Sequence, residues 1–217
     1  MADAVKPARR YDASRRQEQA RENRRRILAA AADLLREKGY ADTAMPEVAK
    51  TAGVSVQTVY KAFANKAALL KAVFDVSVAG DDEPIPVAGR DFIAAIQAEP
   101  DAARKIGMYF DHVVELAPRV LPLQLVARDA AAADRAAAEV WAQMRQELLT
   151  AMTYFSADLM ATGQVRPELS AEDVRDILWT FHGPEQYELL VLERGWSPER
   201  YGDFLKQAVV SAVVVSS

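Results

Sequence analysis

Six side chains in one short stretch carry groups that could recognise a polyanion. In AGVSVQTVYKAFANK (Ala52–Lys66), Ser55, Gln57, Thr58, Tyr60, Lys61 and Lys66 bring an amide, hydroxyls and ammonium groups together. A glutamine amide can pair with an adenine edge through two hydrogen bonds, and a lysine can donate to guanine. A phenol and an ammonium suit phosphate oxygens, which position a protein on a duplex without reading its sequence. On a helix opened by Ser55, the outward residues are Gln57, Thr58 and Lys61, and Val56 can touch a thymine methyl. Tyr60 and Lys66 fit phosphates better.

The elements that must hold these groups are also legible. Val56, Val59, Tyr60 and Phe63 recur at helical spacing behind the Ser55 cap. Gly53 permits a positive φ, so the chain can turn sharply before that helix. Met45, Val48, Ala49 and Ala52 form the apolar face of the helix before the turn, with Thr43 as its expected cap and Pro46 in its first turn. Upstream, Ile27, Leu28, Ala31, Leu34 and Leu35 mark a helix that stops at Gly39. Downstream, Asn65 can cap a helix that turns Leu69, Leu70, Val73 and Phe74 inward. Two short helices joined by a glycine turn make a helix-turn-helix. Ala49 is small where the helices approach, Gly53 takes the turn, and Val59 fills the angle between them. The second helix of such a unit enters the major groove with its N-terminal residues at base edges.

Charge supports a polyanion partner for this part of the chain. The net charge is −4 over 217 residues, yet residues 1–66 hold 14 Lys/Arg against 8 Asp/Glu, leaving −10 for the remainder. Eight arginines lie between Arg9 and Arg26. A basic head on an acidic body points the head toward a polyanion. Three readings fit the first residues: a solvated tail, an extension of the first helix with arginines such as Arg24 against phosphates, or an arm reaching a minor groove. Residues 1–13 are expected to be disordered without DNA.

The string from Arg24 to Asp75, RRRILAAAADLLREKGYADTAMPEVAKTAGVSVQTVYKAFANKAALLKAVFD, resembles the DNA-binding head of the TetR family of transcriptional regulators. Gly39, Tyr40, Thr43, Val48, Ala49, Ala52, Gly53, Val54, Ser55, Thr58, Val59, Tyr60, Phe63, Lys66, Leu69 and Leu70 carry the match. Gln57 departs from the family's small residue there. Ala62 departs from its frequent His or Tyr. The resemblance implies an all-α homodimer, with one helix-turn-helix head per subunit and a C-terminal helical domain for dimerisation and ligand binding. It also implies release from a palindromic operator when a small molecule binds. The residues expected at DNA are Gln57, Thr58, Tyr60, Lys61, Lys66, Ser55, Thr43 and Arg24.

The expected organisation is a basic arm (1–13), a DNA-binding domain with its connecting helix (14–78), a linker rich in Pro, Gly and Asp (79–89) and a helical body (90–217). The body reads as helices near 91–98, 101–117, 119–129 and 132–162. Further helices follow Ser170, with Asp173 as its capping-box partner, and Ser197-Pro198. Gly183-Pro184 should break or kink the helix it falls in. The last two helices, about 170–193 and 197–215, have broad apolar faces. These can serve a dimer seam or close the intrachain core.

Little in the body suggests catalysis. Its two histidines, His112 and His182, belong to no Glu-x-x-His pair, and no phosphate loop, dinucleotide fingerprint or nucleophile elbow is present. There is no cysteine, so neither a disulfide nor a thiolate metal site is possible. No enzyme activity, cofactor or metal is expected. The N-terminal sequence lacks the apolar segment of a signal peptide, and no long apolar run suggests a membrane span, so a cytoplasmic protein is expected. A pocket in the body is expected to draw on Met108, Phe110, His112, Trp141, Met144, Phe155, Trp179 and His182, with Gln124 and Gln143 behind them. Each is equally at home in a hydrophobic core. A small apolar or aromatic effector would suit such a lining. Two other readings stand beside the ligand-released repressor: a DNA-binding regulator without an effector, and a helical binding protein whose head no longer binds DNA.

Overall fold

The computed structural model describes residues 8–80 and 91–215, with side chains from Arg15 onward. The chain divides into two compact units, Met1–Val73 and Phe74–Ser217. Among the described residues the secondary structure is helical, apart from an isolated β-bridge between Val165 and Val214.

The first unit holds α1 (Ala8–Asp42), α2 (Met45–Ala52), α3 (Val56–Ala62) and the start of α4 (Lys66–Ala79). Helix α1 begins inside the segment expected as a disordered arm. Residues 8–16 are rich in Ala and Arg, both good helix formers, and extend the helix toward the N-terminus. The arm's first seven residues lie outside the described residues. The core is formed by Ile27, Ala31 and Leu35 of α1, Val48 and Ala49 of α2, Val59 of α3, and Leu69 and Leu70 of α4, all at most 1 % exposed.

Two polar devices close the end of α1. Gly39 adopts φ 74°, which interrupts the helical backbone. Three carbonyls near this end then need donors. Thr43 Oγ1 donates to Gly39 O at 2.7 Å, while Lys66 Nζ donates to Tyr40 O at 2.6 Å and Ala41 O at 3.3 Å. Thr43 therefore does not cap α2. The N-cap position of α2 is Ala44, which makes no side-chain cap bond. The hydroxyl of Thr43 faces backward to the preceding helix instead of forward.

The second unit holds α5 (Asp91–Ala98), α6 (Ala102–Ala131), α7 (Arg135–Ala161), α8 (Ala171–Phe181), α9 (Pro184–Tyr187) and α10 (Pro198–Val213). A π-helical turn, Glu188–Glu193, follows α9. Helix α7 packs on α6 and α8, and α10 packs on the same two. The expected break between 117 and 119 does not occur, because α6 runs through both Pro118 and Pro122. Each proline removes one backbone bond, but Ala117, Val120, Leu121 and Leu123 around them are buried and hold the helix by packing. The break at Gly183-Pro184 is present: α8 ends at Phe181 and α9 starts at Pro184. Ser170 and Asp173 form the expected capping box, and Ser197 caps α10 ahead of Pro198. The expected linker falls almost wholly outside the described residues.

Close approach and ion pairing fix the helices of this unit. A Cβ on Gly202 would lie 2.9 Å from Val114, so glycine lets α10 meet α6 closely. Lys105, 1 % exposed, reaches from α6 to Asp158 of α7 at 2.7 Å and also donates to Gln97 O at 3.0 Å. Arg128 of α6 forks onto Glu188 at the π-helical turn, at 2.7 and 3.0 Å.

Candidate nucleic-acid interface and ligand cleft

The helix-turn-helix is built by its turn. Gly53 sits at φ 63°, ψ 39°; its N–H bonds to Lys50 O at 3.1 Å, and Val54 N–H bonds to Ala49 O at 3.0 Å. That paired closure satisfies two end carbonyls of α2 at once. The carbonyls of Ala52 and Gly53 are taken by the guanidinium of Arg26, reaching over from α1. Arg26 had no assigned role in the sequence reading. Its only signal was its place in a run of arginines, which charge alone assigns to solvent or phosphate.

Ser55 opens α3 and accepts from Thr58 N–H at 3.0 Å, while its hydroxyl meets Thr58 Oγ1 at 2.8 Å. Thr58 is thus half-buried and already engaged. Val59 is wholly buried and anchors the helix to the core. The opposite side is open: Gln57, Tyr60 and Lys61 are exposed, with Tyr60 at 51 %. An amide, a phenol and an ammonium therefore stand together on one turn of helix, as donors that could meet base edges and phosphates.

Three side chains expected at DNA have partners within the head itself. Thr43 is 1 % exposed, so burial removes its side chain from any DNA-facing surface. The Lys66 ammonium is held by Tyr40 O and Ala41 O and lies 4.2 Å from the Tyr40 ring centroid, which ties it to the head's own backbone. Arg24 is half-buried with its guanidinium 4.9 Å from the centre of the Phe63 ring, where it covers the core beside α3.

The expected pocket residues separate into groups. Trp141, Met144 and Trp179 line one cleft of about 300 Å³, together with Gln124 of α6, Arg145 and Leu148 of α7, and the stretch from Gly183 to Gln186. Phe110 and Phe155 belong to the buried core of the unit. Met108 is 36 % exposed on α6, away from that core. His112 stacks on Phe92 at 3.8 Å between ring centroids, and burial lowers its proton affinity. His182 turns toward Tyr109, 5.8 Å away, rather than into the cleft. The residue is half-buried while its Nδ1 is sealed and unpartnered; burial pushes its pKa down to about 4. Gln143 is exposed and bonds to Glu147 at 2.9 Å.

Arg145 is the charged residue of α7 in the cleft, and like Leu148 and Glu185 it lies outside the set expected from sequence. It stands four residues after Trp141, so the two share a helix face. Its Cζ lies 4.6 Å from the Trp179 ring centre and 5.8 Å from that of Trp141. Among the described residues, no group of three or more His, Asp or Glu could hold a metal ion, and no helix is long and apolar enough to cross a membrane.

Residues 27–73 match the family model for bacterial regulatory proteins of the tetR family. The match lies wholly within the head and supports its likeness to that family. Over 63 residues the chain is 44 % identical to YdeS, an HTH-type transcriptional regulator of Bacillus subtilis (strain 168). That match covers 29 % of this chain and about a third (31 %) of the relative, so it speaks for the head alone. Solved structures extend the likeness in fold through the body. The transcriptional regulator FadR from Bacillus subtilis, crystallised with stearoyl-CoA, superposes with a TM-score of 0.69 at 19 % identity, covering 86 % of this chain and 97 % of that one. NalD of Pseudomonas aeruginosa, the secondary repressor of the MexAB-OprM multidrug efflux pump, gives 0.62 at 16 % identity over 91 % and 100 %. The buried Thr43, the Lys66 clamp, the Gly53 turn and Val59 all lie within the stretch that matches this model of bacterial regulatory proteins.

Proposed function

We propose that this protein is a DNA-binding transcriptional repressor that acts as a homodimer on a palindromic operator and is released by a small molecule. The observation that carries the reading is the exposed face of α3. Gln57, Tyr60 and Lys61 project from a helix whose other side is anchored by Val59, and whose entry is fixed by the Gly53 turn and the Ser55 cap. Gln57 reads a base edge, as does Lys61, while Tyr60 holds a phosphate; Ser55 and Thr58 set the start of the helix at the groove. A twofold protein presents two such helices to half-sites about 34–36 Å apart, or a multiple of that distance.

The effector side of the reading is supported by the cleft in the second unit and by the ligand-bound state of structural neighbours such as FadR. A ligand that binds better to the form with low DNA affinity weakens operator binding by linkage. Dimerisation is supported by the apolar residues left exposed near the end of the chain. Leu189 and Leu192 are each 54 % exposed, and Phe204 of α10 is 37 % exposed. Cytoplasmic operation follows from a DNA partner.

The test is selection of bound sequences from a random DNA pool, followed by a salt titration of the winner. A palindromic motif with a steep salt slope is the expected result. Gln57→Ala then changes base preference at one position per half-site. The absence of any enriched motif would reject the reading in favour of a helical protein whose head does not bind DNA.

A further inference from the structure

The cleft between α6, α7 and the α8–α9 corner carries a cation, Arg145, and a carboxylate, Glu185, that form no ion pair with each other. Arg145 is exposed at its edge, with its guanidinium beside the Trp179 and Trp141 rings. Among the described residues it makes no ion pair. Two carboxylates on the elements that border the cleft have partners of their own. Glu188 is held by Arg128 at 2.7 Å and Asp176 by Arg175 at 2.8 Å. Glu185 lines the same cleft, but its carboxylate folds back over Gly183. A guanidinium beside an indole keeps its fork of N–H donors free at the edge, and that fork matches a carboxylate in two parallel bonds.

The rest of the lining is mixed: Gln124, Thr180, Glu185 and Gln186 stand beside apolar side chains. Trp141, Trp179, Met144 and Leu148 supply its walls. Gln124 is 5 % exposed and its Oε1 has no partner; Trp179 Nε1 is likewise buried and unpartnered. The volume of about 300 Å³ is at the small end for ligand sites and suits a one- or two-ring body or a short alkyl chain.

We infer that the cleft takes a small amphipathic carboxylic acid, with its carboxylate on Arg145 and its apolar body against Trp141 and Trp179. This deepens the proposed effector response and rests on it only for the consequence at DNA. The acid is the charged end because Arg145 is the unpaired cation, and the body is apolar because the walls are. A cationic or neutral ligand of the same shape would leave the guanidinium without a counter-charge.

The test is calorimetric titration of the full chain with 1-naphthoate, octanoate and the neutral isostere 1-naphthamide. At least one acid binds in the micromolar range, and the amide binds at least about tenfold more weakly than 1-naphthoate. Arg145→Gln, a change at an exposed site that gives up the cation–π contact with Trp179 and leaves the fold intact, weakens acid binding by about 10–100-fold and leaves the amide within about threefold. Arg145→Lys recovers part of the loss. Failure of both acids to bind at 1 mM, equal affinity for acid and amide, or an unchanged Arg145→Gln variant would each overturn the assignment. A mobility shift on the selected operator separates the two readings. An acid that binds without releasing DNA leaves the cleft assignment standing and rejects the effector response. DNA binding with no acid bound anywhere does the reverse.

Discussion

Lys66 Nζ lies 2.6 Å from the carbonyl oxygen of Tyr40, twenty-six residues earlier in the chain. The start of α4 is thereby pinned to the end of α1, and a side chain that resembled a phosphate contact is an internal clamp. Lys66→Ala should therefore lower the stability of the head by about 1–2 kcal/mol, the range for charged hydrogen bonds to partly exposed carbonyls. It should leave the salt slope of DNA binding nearly unchanged. Lys61→Ala should do the opposite, lowering the slope by about one with little change in stability. Chemical denaturation and binding titrations at several salt concentrations, run on both variants, check the contrast. A full unit of slope lost with Lys66→Ala would return that residue to the phosphate-contacting set.

The turn residue admits a similar separation of causes. Gly53 is held at φ 63°, and a Cβ there would also press on the Arg26 guanidinium. The guanidinium is the far end of a flexible side chain and can shift, whereas the backbone angle cannot. Gly53→Ala should thus destabilise the head by about 1–2 kcal/mol, the left-handed penalty for an L-residue, and Gly53→Asn by about half of that. Thermal melts of the two variants give the comparison. Equal losses would mean that crowding at Arg26, not backbone conformation, sets the requirement for glycine.

The head was far more legible in the sequence than the body, and the reason is the range of the interactions. Gly53, Ser55 and Val59 act on neighbours within about ten residues, so their spacing alone specifies the turn, the cap and the inter-helix contact. Lys66 and Arg26 act on backbone carbonyls about 26 residues away, and no local pattern distinguishes such a lysine or arginine from one facing solvent. In the body, Trp141, Met144 and Trp179 were singled out on size together with Phe110 and Phe155. Only packing separates cleft wall from core. Pro118 misled because a proline's local effect is to break a helix, while burial of Ala117 and Leu121 on either side keeps α6 continuous. Arg145 escaped notice because its meaning depends on Trp179, a residue on another helix.

Lys105 tests how a buried charge is tolerated in the second unit. Its ammonium is sealed against Asp158 and one carbonyl, while the Asp158 side chain remains 30 % exposed. Removing Asp158 strands a buried cation, which water cannot reach. Removing Lys105 leaves a carboxylate that can still be hydrated. Asp158→Ala should therefore cost about 3 kcal/mol, and Lys105→Met, close in length and apolar, less than about 1 kcal/mol. Urea denaturation of the two variants checks the asymmetry. Equal losses would mean that the pair contributes through direct attraction rather than through relief of the buried charge.

His182 makes stability depend on mild acid. Burial holds its folded pKa at about 4, below the ordinary value of 6.5. Between those values the unfolded chain binds a proton that the folded chain refuses. The stabilising effect is therefore fully present above about pH 6.5 and is lost as pH falls toward 4. The slope approaches about 1.4 kcal/mol per pH unit, and the whole window is worth about 3 kcal/mol. His112, whose proton affinity is also lowered by burial, adds a slope of the same sign. His182→Leu removes the titrating ring together with its unpartnered Nδ1. It should be near neutral at pH 7.5 and should flatten most of the dependence between pH 6.5 and 5, before the carboxylates begin to titrate. Denaturation midpoints at half-unit intervals measure this. A variant as acid-sensitive as the parent would show that the imidazole takes up its proton in the folded state, and that the sealed Nδ1 opens on protonation.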